Sequence, residues 1–98
     1  MAPSAQQTQA TGVPADQAAD TVVTVRYWAA ARAAAGVDTD QHSGATVGAV
    51  VDAAVAAHPA LQRVAVVATF LLDGRAATRE TSVDPGATVE VLPPFAGG

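Results

Sequence analysis

Between Thr46 and His58 the residues Val47, Val50, Val51, Ala54 and Val55 recur at i, i+3, i+4, i+7 and i+8. That spacing lays one apolar stripe along a helix. Asp52 lies off the stripe. Thr46 is placed to cap the helix at its start. Pro59 ends it, because the residue before a proline is disfavoured in the helical region. A helix with one stripe has to bury it against another layer, and the flanking segments read mostly as strands.

Thr21 to Trp28, TVVTVRYW, is β-branched and aromatic, as strands are. Alternation puts Val23, Val25 and Tyr27 on one face and Thr24, Arg26 and Trp28 on the other. The first set reads as core. The Ala-rich run from Ala29 to Ala35, stopped by Gly36, reads as a short helix, and Val37 to His42 as a second short strand. Val64 to Leu72 is an apolar run of strand length. It leads into Asp73-Gly74, a hairpin dipeptide, and a returning strand from Arg75 to Thr78. After a turn at Asp84-Pro85-Gly86, Thr88 to Leu92 alternates again, with Val89 and Val91 on one face and Thr88, Glu90 and Leu92 on the other. The fold expected is α+β, a mixed sheet packed on one main helix.

At 98 residues this is one domain. Residues 1–20 are rich in Ala, Gln and Thr and too poor in apolar side chains to offset the entropy of ordering. They are expected to form a disordered leader before a domain over residues 21–92 and a flexible tail over 93–98.

Composition removes several chemistries. There is no Cys, hence no disulfide scaffold, thiolate metal site or cysteine nucleophile. There is no Lys either, hence no Walker-type phosphate loop and no Schiff-base chemistry. The net charge of −4 speaks against nucleic acid, whose phosphates require a basic face. With no signal-peptide pattern and no apolar run near the roughly 20 residues of a membrane helix, a cytoplasmic protein without a membrane partner is expected.

The tail carries the functional signal. The chain reads VLPPFAGG at its end. Pro93-Pro94 cannot continue a sheet ladder and stiffens the exit from the last strand. Phe95 offers one apolar anchor. Ala96, Gly97 and Gly98 form a thread narrow enough for a channel, ending in a carboxylate that is ionised at neutral pH. A free carboxylate is a poor electrophile, so activation has to come from another protein. Gly-Gly alone is a weak signal, since flexible termini commonly contain glycine. Its place after a last strand and a Pro-Pro spacer strengthens it.

Size, element order, the opening VTVRYWAAAR, the glycine after the Ala run, the amphipathic helix from Thr46 and the ending VLPPFAGG together resemble the ubiquitin-like β-grasp sulfur carriers of the MoaD/ThiS type. The resemblance covers Val22 to Gly98 and is strongest to the small subunit of molybdopterin synthase, the MoaD branch. It implies that Gly98 is adenylated by an E1-like enzyme of the MoeB type using Mg-ATP, the chain itself binding no cofactor. A sulfurtransferase or cysteine desulfurase then supplies sulfur to give a thiocarboxylate. The carrier docks on a large subunit of the MoaE type, where the sulfur passes to cyclic pyranopterin monophosphate in molybdenum cofactor biosynthesis. Phe95, Ala96 and Gly97 thread the tail into that subunit, and catalysis belongs to the complex, not to this chain. Two turns depart from the family pattern: Asp73 stands where Asn is frequent, and Pro85-Gly86-Ala87-Thr88 replaces Gly-Asp-Glu. The alternatives are a sulfur carrier for thiamine thiazole or for cysteine, a ubiquitin-like protein modifier, and a binding module whose tail is incidental. As a modifier, the chain could not build side-chain-linked chains of itself, having no Lys.

In such a fold the first and last strands are neighbours. Arg26, Trp28 and Leu92 would then share an open sheet face suited to a partner, with Arg32 beside it. The plainer alternatives are that Trp28 covers a sheet edge and that Arg32 is a solvated helix residue. Asp38, Asp40 and His42 alternate and could face the same way, but a metal site needs more ligands and an enclosing shell, so none is expected. His58 reads as a charge favourable to the end of its helix.

Overall fold

The computed structural model describes residues 21–94. The leader of residues 1–20 and the tail residues Phe95 to Gly98 lie outside the described residues. The elements are β1 (Val22–Tyr27), α1 (Ala30–Ala35), β2 (Thr39–Ser43), α2 (Val47–Ala57), a 3-10 turn (Pro59–Leu61), α3 (Gln62–Ala65), β3 (Thr69–Leu72), β4 (Arg75–Ala77) and β5 (Thr88–Leu92).

The strands form one five-stranded sheet in the order β2-β1-β5-β3-β4. Its centre is a parallel pair, β1 with β5, in the register Val25↔Val89 and Tyr27↔Val91. The β1–β2, β3–β5 and β3–β4 pairs are antiparallel. This is the ubiquitin-like β-grasp, with α2 laid across one face of a mixed sheet.

The alternation read from the sequence sets the layers. Val23, Val25 and Tyr27 of β1 and Val89 and Val91 of β5 face α2, whose Val47, Val50, Val51 and Ala54 are buried against them. Each Val side chain fully buried here is worth roughly 1.5–3 kcal/mol relative to exposure. Thr46 caps α2, its Oγ1 accepting from the Ala49 amide at 3.1 Å, a contact typically worth about 1 kcal/mol. Gly36 closes α1 in the left-handed conformation, its amide donating to the Arg32 carbonyl. Asp73 and Gly74 both have positive φ, as a tight hairpin with the strand twist demands. Asp73 also ties that hairpin to β5, its Oδ1 accepting from the Thr88 amide at 2.9 Å.

The run from Val64 to Leu72 corrects the strand expected there. Only Thr69–Leu72 is strand; Gln62–Ala65 is helix, and Val66 and Val67 are 69% and 60% exposed. The cause lies upstream. Pro59 opens a 3-10 turn that drives Leu61 into the core at 0% exposure, and the chain continues helically from there. A short apolar run has no periodicity that separates a strand from a helix.

Between β1 and α1 the chain turns sharply at Ala29, with φ 50° and ψ −122°, and the Ala31 amide donates to the Trp28 carbonyl across the turn. A residue with a Cβ is strained there by about 1–3 kcal/mol, whereas glycine adopts it freely. Ala29→Gly is therefore expected to raise unfolding stability by about 1 kcal/mol, the relief of strain exceeding the added entropy of the unfolded chain. Urea unfolding checks this, and an unchanged or lower midpoint contradicts it.

Candidate functional site

The parallel β1–β5 pair brings the ends of both strands to one edge of the domain. The Trp28 amide donates to the Val91 carbonyl at 3.3 Å, so the start of α1 is fastened one residue before Leu92. Beyond Leu92 come Pro93, half-buried, and Pro94, exposed. Leu92 and Pro93 thus leave the sheet beside Trp28.

On the face away from α2, Arg26 lies opposite Glu90. The Trp28 indole Nε1 donates to Glu90 Oε1 at 2.8 Å, and Arg26 Cζ sits 4.8 Å from the Trp28 ring centroid. The ring is held between a cation on its face and a carboxylate at its edge, yet Trp28 keeps 40% of its surface exposed. This is more than an apolar cover on a sheet edge: the indole is oriented by two partners from two strands. Leu92 is half-buried on the same face, and β3 contributes Leu71 directly opposite Glu90. Sequence reasoning placed Arg26, Trp28 and Leu92 together but missed Leu71 and the role of Glu90. Leu71 stood inside a continuous apolar run, and Glu90 could be matched with Trp28 only once the parallel register was known.

A groove of about 320 Å³ lies beside this patch, lined by Arg26, Tyr27, Trp28, Ala29, Arg32 and Asp38. Arg32 is not free there. Its Nη1 is 3.2 Å from Asp38 Oδ1 in a pair exposed on both sides, of the kind that adds little stability. The site combines a ring, an aliphatic strip and a guanidinium on an open sheet, which is what a protein-docking surface uses. Among the described residues no helix is long and apolar enough to cross a membrane.

A second constellation lies on the α2 side of the sheet. Asp40 and His42 stand opposite Val25 and Val23, and so share their face. The Tyr27 hydroxyl donates to Asp40 Oδ1 at 2.7 Å, and His58 Nε2 donates to Asp40 Oδ2 at 2.5 Å. His42 Nε2 is 3.0 Å from Asp40 Oδ1 but not aligned as a hydrogen bond. This buried nitrogen has no hydrogen-bond partner. Burial works to raise the Asp40 carboxyl, but the hydrogen bonds from His58 and Tyr27 and the nearness of the His42 ring hold it below the usual carboxylate value. Burial, together with the bond to Asp40 and its charge, pushes the Tyr27 phenol far above its ordinary range. Of the trio Asp38, Asp40 and His42, the structure detaches Asp38, which lies before β2 and pairs with Arg32. It adds His58, the residue that ends α2, whose ring turns to Asp40.

The ThiS family matches residues 25–98. No curated protein matches the chain. Among solved structures, the small archaeal modifier protein SAMP1 from Haloferax volcanii is similar at 31% identity with a TM-score of 0.72, covering 79% of this chain and 99% of that one. SAMP1 from Methanosarcina acetivorans is 24% identical, with a TM-score of 0.71 over 80% of this chain and 97% of that one. A complex of subunits 1 and 2 of molybdopterin-converting factor from Helicobacter pylori contains a chain 18% identical, with a TM-score of 0.60 over 80% of this chain and 100% of that one. At the last two identities the likeness is one of fold.

The bond from Trp28 to Glu90 has a direct spectroscopic consequence, because the chain contains a single Trp. Glu90→Gln is expected to move the lone indole N–H signal in the NMR spectrum while the amide signals of β1 and β5 keep their native dispersion. An indole signal that stays in place shows that the ring is held otherwise.

Proposed function

Because this chain belongs to the ThiS family, we propose that it is a carrier of an activated carboxyl group, with Gly98 as the carrying residue. The observation that carries this reading is the family match itself, which runs through Pro93-Pro94 and the Gly97-Gly98 thread. The specific reading is a sulfur carrier acting as the small subunit of molybdopterin synthase. An E1-like partner adenylates the Gly98 carboxylate with Mg-ATP, releasing pyrophosphate. A sulfurtransferase or cysteine desulfurase then supplies sulfur in place of AMP. The resulting thiocarboxylate is presented to a large subunit of the MoaE type for transfer to cyclic pyranopterin monophosphate.

The division of labour suits the domain. The chain has neither a Cys thiol nor a Lys amine to serve as nucleophile, and the tail is what the partner's chemistry would act upon. Phe95 and Ala96 lead the thread, and the patch of Arg26, Trp28, Leu71 and Leu92 docks the domain so that the tail points into the partner. The Helicobacter pylori relative in fold is described as one subunit of a two-subunit complex, which motivates a large-subunit partner here.

A second reading, a ubiquitin-like modifier, is favoured by the 31% identity to the Haloferax volcanii modifier protein. It uses the same activation but ends in an amide bond between Gly98 and a target lysine.

Intact-mass measurement separates the two. Incubation with an E1-like enzyme, ATP and a sulfur donor is expected to raise the mass by the replacement of one oxygen with sulfur, and deletion of Gly98 to abolish the gain. An unchanged mass with a competent enzyme present, together with lysines of other proteins carrying this chain's C-terminal peptide through Gly98, would move the function to modification. Independently, Trp28→Ala is expected to weaken binding to the large subunit by about 30-fold, as loss of an aromatic hot spot does. Unchanged affinity would exclude this face as the docking surface.

A further inference from the structure

The chain has two His and no Cys, so its whole supply of imidazole and thiol ligands is two rings. Both are brought to one carboxylate. Asp40 and His42 are two residues apart on the outer strand β2 and point to the same side, while His58 arrives from the far end of α2, 16 residues later in the chain than His42. Their ligand atoms lie within 4.8 Å of one another, and all three residues are half-buried. The two rings meet edge to face with centroids 6.2 Å apart.

We propose that Asp40, His42 and His58 form a binding site for one divalent transition-metal ion of the zinc class. Two imidazoles and a carboxylate are the donor set of such ions, whereas Mg²⁺ and Ca²⁺ take oxygen ligands. Bonds of about 2.0–2.2 Å fit within the spacing once the short contact between His58 Nε2 and Asp40 Oδ2 opens. Three protein ligands leave a fourth tetrahedral position for water.

Two further observations point to a ligand rather than to a closed hydrogen-bond cluster. His42 Nε2 is buried and has no hydrogen-bond partner, a state that costs free energy unless something binds the nitrogen. Tyr27 supplies the outer support that metal-binding carboxylates require. Its hydroxyl holds Asp40 Oδ1, leaving Oδ2 to face His58. The ion would clamp the outer strand to the end of α2, on the side of the sheet opposite the docking face. The site therefore stands or falls independently of the carrier reading.

Titration of the chelator-treated full chain with Zn²⁺ by calorimetry tests this, with Mg²⁺ as control. The expected result is saturable binding of one Zn²⁺ per chain, a higher melting temperature with Zn²⁺ and no response to Mg²⁺. His42→Gln and His58→Gln should each weaken binding at least tenfold, and the double variant should abolish it. Tyr27→Phe should keep one site and weaken it roughly 10-fold. If a variant unfolds, NMR of the unaltered protein decides, since the only two imidazoles belong to the site. Both ring signals shift on addition of Zn²⁺ if the proposal holds. Absence of saturable binding, binding that survives in the double variant, or a shift of one ring alone overturns it.

Discussion

The central parallel pairing of β1 with β5 is the contact on which the remaining structure depends. It joins segments more than 60 residues apart in the chain and places the fully buried Val25 beside Val89 and the nearly buried Tyr27 beside Val91. A parallel pair cannot be joined by a tight turn. Everything between the two strands, β2, the three helices and the β3–β4 hairpin, is the connection that makes the pairing possible. The same pairing fastens the Trp28 amide to the Val91 carbonyl and so determines where the tail leaves the domain.

Period-2 alternation in β1 divides the molecule in two. Val23, Val25 and Tyr27 turn to α2 and build the core. Thr24 and Arg26, with Trp28 just beyond, turn to the open face. Position 27 serves both sides, because Tyr27 fills the core with its ring, holds Asp40 with its hydroxyl and lines the groove beside Trp28. One strand thereby supplies packing, the hydroxyl that orients the Asp40 carboxylate and the flank of the open-face patch.

What the sequence made legible follows from how local each signal is. The stripe Val47, Val50, Val51, Ala54 and Val55 and the cap at Thr46 are written within one helix; the first four are buried, Val55 packs partly buried against the core, and Thr46 is bonded as expected. The faces of β1 and β5 were readable because each alternates cleanly. The stretch from Gln62 to Ala68 was not. Its course is set by Pro59 and by the burial of Leu61, not by its own pattern, and its valines are as compatible with a strand as with a helix. The Trp28–Glu90 bond spans 62 positions and exists only through the sheet register. The Asp40–His58 contact likewise needs β2 and the end of α2 to meet, which no spacing in the sequence announces. Asp38 misled for the same reason: alternation began the strand at Val37, two residues before its start at Thr39.

The open face owes its freedom to the closure of the other one. With α2 seated, Val23, Val25, Val89 and Val91 are 0% exposed, so the core is complete without any contribution from Arg26, Trp28, Leu71 or Leu92. Side chains on the open face are then held only by one another: a guanidinium over a ring, an indole N–H on a carboxylate. Such contacts orient without fully burying, so Trp28 keeps 40% of its surface exposed, apolar area that remains in contact with water. A domain built this way can exchange these exposed residues at small cost to its stability. The chemistry of the few exposed positions beside Pro93 is therefore set independently of the fold beneath them.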